Sequence, residues 1–330
     1  MSDISRREFF RKAAIDTAAL GFLASTATKA HAAPLGIPIG SQTYPHRARI
    51  ASGEFAGLLK DMKGIGIEVI ELCNPTYKEF MPLADGKQTR KILDDAGMKC
   101  LSAHFQMAAL RKDHAAQIKW AQDIGMIQMS TADLGGQVVN GFTSIEEVKR
   151  AADEYNKIAA VAKKAGLQQI LHNEGFANSR LEDGRLTYAV LLEYLDPDLV
   201  KMQFQMSSMR TVGDPIVWFR NHPGRFASAH LQGVDTKQGM AAARGWTLTV
   251  KPTPEEAAAA AAAAAEGRGR GAGGGRGGGG GGGLAVGEDT VDWPKVFEAA
   301  KIGGLKTYFV EQTWELTVKS VAYLKTLNVT

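Results

Sequence analysis

Residues 144–172 read SIEEVKRAADEYNKIAAVAKKAGLQQILH. Val148, Ala151, Ala152, Tyr155, Ile158, Ala159 and Ala162 fall at helical spacing, which puts them on one apolar stripe. Ser144 and Glu147 have capping-box spacing and mark the start of this helix. Gly166 marks its end, because glycine just past a helix takes the left-handed conformation without a Cβ clash. The chain then enters Leu167-Gln-Gln-Ile-Leu-His172, a short apolar run typical of a strand. Helix, glycine and strand together make one unit of an alternating α/β fold.

The unit recurs. Gly66–Leu72, Gly97–His104, Gly125–Ser130 and Gly304–Glu311 each open on a glycine that follows a helix-like run and continue as an apolar strand. Ile37–Thr43, Val200–Gln205 and Phe226–Leu231 complete a set of eight strands. Strands that alternate with helices lie parallel, and eight such units close into a (β/α)8 TIM barrel, here expected as a single domain over residues 33–330. An open doubly wound sheet is the competing architecture. It lacks support because the pattern G-x-G-x-x-G occurs only inside low-complexity sequence, where it carries no information.

The chain is long enough for one large barrel: 330 residues, 45% hydrophobic and 22% charged. Part of the formal net charge of +4 sits in the first 32 residues, which leaves the remainder near neutral and gives no electrostatic case for nucleic acid. The two cysteines, Cys73 and Cys100, fall at opposite ends of neighbouring strands, too far apart for a disulfide.

Ser5-Arg-Arg-Glu-Phe-Phe-Arg-Lys12 matches a twin-arginine export pattern. A weakly apolar stretch, Ala13–Thr26, follows, and Ala30-His31-Ala32 fits a cleavage site. Residues 1–32 are therefore expected to be a signal peptide, with the twin-arginine translocase as a transient partner and a periplasmic or secreted mature protein. The apolar stretch is too short and weak for stable membrane insertion. A second segment outside the repeat, at about 254–283, runs through Ala257–Ala265 into an Arg/Gly tract. It is expected as a loop insertion after the seventh strand. Its three arginines, Arg268, Arg270 and Arg276, have no interleaved aromatics, which argues against RNA binding.

Active sites of parallel barrels lie where the strands end, so polar residues at strand ends are the candidates. They are Gln42, Glu71, His104, His172, Glu174, Gln205, His230 and Glu311. Three of the seven histidines end expected strands.

Several of these segments resemble the sugar phosphate isomerase/epimerase family of xylose isomerase-like barrels. Asp292–Lys301, preceded by Val286-Gly-Glu288 and followed by Tyr308-Phe-Val-Glu-Gln312, is similar to that family's C-terminal signature. Leu171-His-Asn-Glu174 resembles its H-N-H run, Leu195–Val200 its approach to strand six, and Ser228-Ala-His-Leu-Gln232 its strand-seven H-x-K-D segment. The resemblance implies a divalent metal at the barrel mouth, Mn²⁺, Zn²⁺ or Fe²⁺, held by ligands from strands five to eight. Carried over by position, these are His172, Gln205, His230 and Glu311. It further implies a metal-dependent isomerase, epimerase or lyase acting by proton transfer next to the carbonyl of a sugar or sugar derivative, with Glu311 and Glu174 as acid/base groups. Glu71, His104 and Gln42 are expected to contact that small-molecule substrate.

The departures are specific. Gln205 stands where the family usually has Asp, and Gln232-Gly233 replaces Lys-Asp. A degenerate barrel that binds carbohydrate without turnover is therefore the alternative. A metal-dependent endonuclease on the same barrel is less favoured, because it needs more metal ligands and basic DNA contacts.

Overall fold

A computed structural model describes residues 33–136, 138, 141–173, 176, 179–208, 212–235 and 283–330. The signal segment, most of the low-complexity insertion, and Glu174 lie outside the described residues.

Eight strands form the barrel: β1 (Gly40–Gln42), β2 (Val69–Cys73), β3 (Lys99–Phe105), β4 (Gln128–Thr131), β5 (Gln168–His172), β6 (Val200–Gln205), β7 (Phe226–Leu231) and β8 (Thr307–Val310). Each pairs in parallel with its sequence neighbours, and β8 pairs with β1, so the sheet closes and the open-sheet alternative is excluded. Helices connect the strands. The helix Ile145–Lys164 starts as its sequence indicates, with Ser144 Oγ accepting the Glu147 backbone N–H at 3.1 Å. Its stripe residues Val148, Ala151, Ala152, Tyr155, Ala159 and Ala162 are buried against the sheet. The five punctuating glycines, Gly66, Gly97, Gly125, Gly166 and Gly304, all have positive φ, between 63° and 94°.

The strands are shorter than their sequence patterns. β1 starts at Gly40 rather than Ile37, because Pro38 precedes it and brings no N–H to the ladder. β8 spans Thr307–Val310, so Glu311 is the first residue beyond the strand rather than its last. Glu71 is the largest correction: it occupies the middle of β2, not its end, and sits below the rim.

Two irregularities set which side chains face inward. Between β2 and β3, Ile70 pairs with Cys100 and Glu71 with Ser102, so Leu101 is an extra residue in β3. Between β6 and β7, Met202 pairs with Phe226 and Gln203 with Ser228, so Ala227 is an extra residue in β7. A bulge of this kind offsets the two-residue alternation of one strand against its neighbour. Each bulge lies shortly before a histidine, His104 in β3 and His230 in β7.

Layers of alternating side chains fill such barrels, usually with branched apolar groups. Here a polar network occupies part of the interior. Thr307 Oγ1 donates to Gln128 Oε1 at 3.1 Å, and Gln203 Nε2 donates to Ser228 Oγ at 2.9 Å. The apolar core lies outside, between sheet and helices, and includes the fully buried Trp218, Trp293, Tyr155 and Tyr188. Cys73 and Cys100 are both buried and form no disulfide with each other, in keeping with their strand positions.

Candidate active site

His104, His172 and His230 come from β3, β5 and β7, and all three are buried. Their ring centroids are 5.0 Å apart for His104 and His172, 5.3 Å for His104 and His230, and 4.6 Å for His172 and His230. One ring nitrogen of each lies within 4.8 Å of the others. The odd strands thus present imidazoles, and the even strands surround them with carboxylates and amides: Glu71 from β2, Gln203 and Gln205 from β6, and Glu311 just beyond β8.

Glu71 lies beneath the cluster. Its Oε2 contacts His230 Nε2 and lies 3.3 Å from His104 Nε2. Its Oε1 accepts from Gln203 Nε2 at 3.0 Å. Complete burial would raise its pKa, but the two facing histidines outweigh that and hold the carboxylate well below its usual range. Burial likewise works against a charged His230. Glu71 first, and Glu311 second, reverse the sign and push His230 up to about 10.

Glu311 is fixed from its other side. Its Oε2 accepts from Gln205 Nε2 at 2.9 Å and Gln232 Nε2 at 3.1 Å, and lies 3.2 Å from His230 Nδ1. Asn173 Oδ1 in turn accepts the Gln205 backbone N–H at 2.9 Å, which ties the end of β6 to the end of β5. Because both amides turn their NH₂ toward Glu311, the buried oxygens Gln205 Oε1 and Gln232 Oε1 have no hydrogen-bond partner among the described residues.

Of the residues expected from sequence, His104, His172, His230, Gln205, Glu71 and Glu311 meet in this one cluster. Gln42 is buried at the rim, but its amide bonds the Tyr44 backbone N–H and Cys73 Sγ rather than the cluster. Gln203 was not among the expected site residues, although it shares a strand face with Gln205 two positions on. It bridges His104, Glu71 and Ser228.

The donor set suits a divalent ion. Imidazole ligands bind such ions at about 2.0–2.1 Å, so nitrogens within 4.8 Å need only modest side-chain rotation to close around one.

No family model matches the chain, and no curated protein matches it. Solved structures do. A sugar phosphate isomerase/epimerase from Parabacteroides distasonis is similar over 93% of this chain and 98% of its own, with 19% identity and a TM-score of 0.62. A probable 3-DHS dehydratase from Bacillus anthracis, AsbF, aligns over 88% of this chain and 97% of its own, with 12% identity and a TM-score of 0.58. The IolI protein, solved with a bound zinc atom, aligns over 88% and 94% respectively, with 10% identity and a TM-score of 0.54. At these identities the likeness establishes the fold: a (β/α)8 barrel of the kind these proteins share.

Proposed function

We propose that the protein is a metal-assisted isomerase or epimerase that moves a proton at a carbon next to the carbonyl of a sugar or sugar derivative. The observation that carries this reading is the convergence of three buried histidines and two buried carboxylates at one end of the barrel. Similarity to a sugar phosphate isomerase/epimerase supports the reaction class, and the zinc atom in a structure of the same fold supports the metal. A bound divalent ion would polarise a carbonyl and a neighbouring hydroxyl.

The chain's own residues supply the rest. Glu311 takes and returns the proton, because its carboxylate is held by two amide donors and cannot rotate away. Glu71 balances charge beneath the histidines. Gln205 Oε1 and Gln232 Oε1 are buried acceptors in need of donors, and the hydroxyls of a polyol supply them. Glu174 is a second acid/base candidate on sequence grounds. Export by the twin-arginine route would favour unphosphorylated sugars over phosphorylated ones.

The test is proton exchange. Metal-loaded protein is incubated in D₂O with a panel of free ketoses, aldoses and their oxidised derivatives, and loss of the carbon-bound proton is followed by NMR. Wild type should catalyse exchange on at least one of them. Glu311→Gln should slow it by roughly 10²–10⁴ with an unchanged circular dichroism spectrum. Sugar binding with no exchange in the loaded wild type would instead favour the non-catalytic carbohydrate-binding barrel, which the glutamine-rich lining also suits.

A further inference from the structure

Resting on the metal-assisted reading, we infer that His104 is a metal ligand. The ion then sits on imidazoles from β3, β5 and β7, and the site selects a nitrogen-preferring cation, Zn²⁺ above all, over Mn²⁺ or Mg²⁺. This differs from a set drawn only from strands five to eight, and it removes His104 from the substrate-contact residues.

The argument starts from an amide. Gln203 Nε2 donates to Glu71 Oε1 at 3.0 Å, and a carboxylate oxygen can only accept, so the orientation of this side chain is determined. Its Oε1 must then be the acceptor facing His104 Nε2 at 3.0 Å. His104 Nε2 therefore carries the hydrogen, and the lone pair of the neutral ring is on Nδ1. His230 is held in the same sense, with Nε2 toward Glu71. Metal-bound imidazoles commonly donate their second N–H to a carboxylate or carbonyl oxygen, which orients the ring and raises its basicity. Glu71 and Gln203 supply those acceptors from beneath, and they do so for His104 as well as for His230.

The oxygen donors are less suited. Gln205, in the strand-six position, offers a neutral amide oxygen, which brings no charge to a hard cation. Glu311 Oε2 accepts two amide N–H groups. Hard ions such as Mg²⁺ and Mn²⁺ depend on oxygen ligands, whereas imidazole suits Zn²⁺, Cu²⁺, Ni²⁺ and Fe²⁺.

The experiment uses mature protein stripped with chelator and dialysed against equimolar Zn²⁺, Mn²⁺ and Mg²⁺, with bound metal measured by mass spectrometry. Wild type should retain Zn²⁺ in large excess. His104→Ala should bind Zn²⁺ at least about tenfold more weakly, with unfolding still cooperative. A second measurement needs no variant: pulsed EPR of the Cu²⁺-loaded wild type should count three imidazole nitrogens. Preferential retention of Mn²⁺ or Mg²⁺, unchanged Zn²⁺ affinity in a folded His104→Ala, or a count of two or fewer nitrogens overturns the ligand set and leaves metal-assisted catalysis standing. A wild type that binds none of these ions overturns both.

Discussion

His46 shows how a single buried ring sets a pH limit. It lies in the turn after β1, packed edge-on against Trp314 with ring centroids 6.0 Å apart. Burial, reinforced by nearby Arg49, lowers its pKa from 6.5 to about 4. The folded state therefore binds this proton less readily than the unfolded state does. The stability that the neutral ring contributes is complete above about pH 6.5 and is lost as pH falls towards 4. Over that window the protein should lose about 3 kcal/mol from this group. Denaturant unfolding at pH 7 and pH 4.5 should show a clearly shallower loss for His46→Gln than for wild type. Parallel slopes would mean that the ring is hydrated. The candidate site was legible at this scale wherever function coincides with a strand end, as at His172 and Gln205. Glu71 and Gln203 were not legible as partners. They meet from opposite sides of the barrel, and no local pattern encodes which residues share a height inside it.

At the scale of elements, the glycine junctions made the fold readable, and they differ in what they tolerate. Gly166 and Gly304 both have left-handed backbones, with φ of 80° and 94°. A Cβ at Gly166 would meet nothing within 4 Å, whereas one at Gly304 would fall 2.8 Å from Gly224 Cα, a backbone atom that cannot step aside. Gly166→Ala should therefore cost about 1–2 kcal/mol, from conformation alone. Gly304→Ala should add an overpacking cost of roughly 1–3 kcal/mol. Thermal unfolding of the two variants should separate them, and equal melting temperatures would show that the loop at Gly224 yields. The same junctions explain why the count of eight strands could be read while their limits could not. Glycine and the helical stripe mark where a helix stops, but the first ladder bond is set by the neighbouring strand. Leu305 and Lys306 read as strand from their own sequence and lie outside β8.

At the scale of the whole molecule, the export reading of residues 1–32 is open to a direct test. If Arg6 and Arg7 are read by a twin-arginine translocase, changing both to lysine should leave the precursor in the cytoplasm, as fractionation followed by immunoblotting would show. Unimpaired export of the double variant would sink the twin-arginine assignment, and a wild type that is itself retained in the cytoplasm would remove the argument that the substrate is unphosphorylated. The barrel itself holds a different kind of information, in the single extra residues Leu101 and Ala227. A residue absorbed as a bulge lets the ladder resume in step, so Ser102 faces the same side as Glu71, and Ser228 the same side as Gln203. A one-codon deletion of Leu101 or Ala227 would therefore restore plain alternation and leave His104 or His230 in the lumen, whereas a deletion between the bulge and the histidine would carry that histidine to the helix layer. Deletions of equal length in these two strands are therefore unequal in consequence: one kind spares the chemistry of the lumen, and the other takes an imidazole out of it.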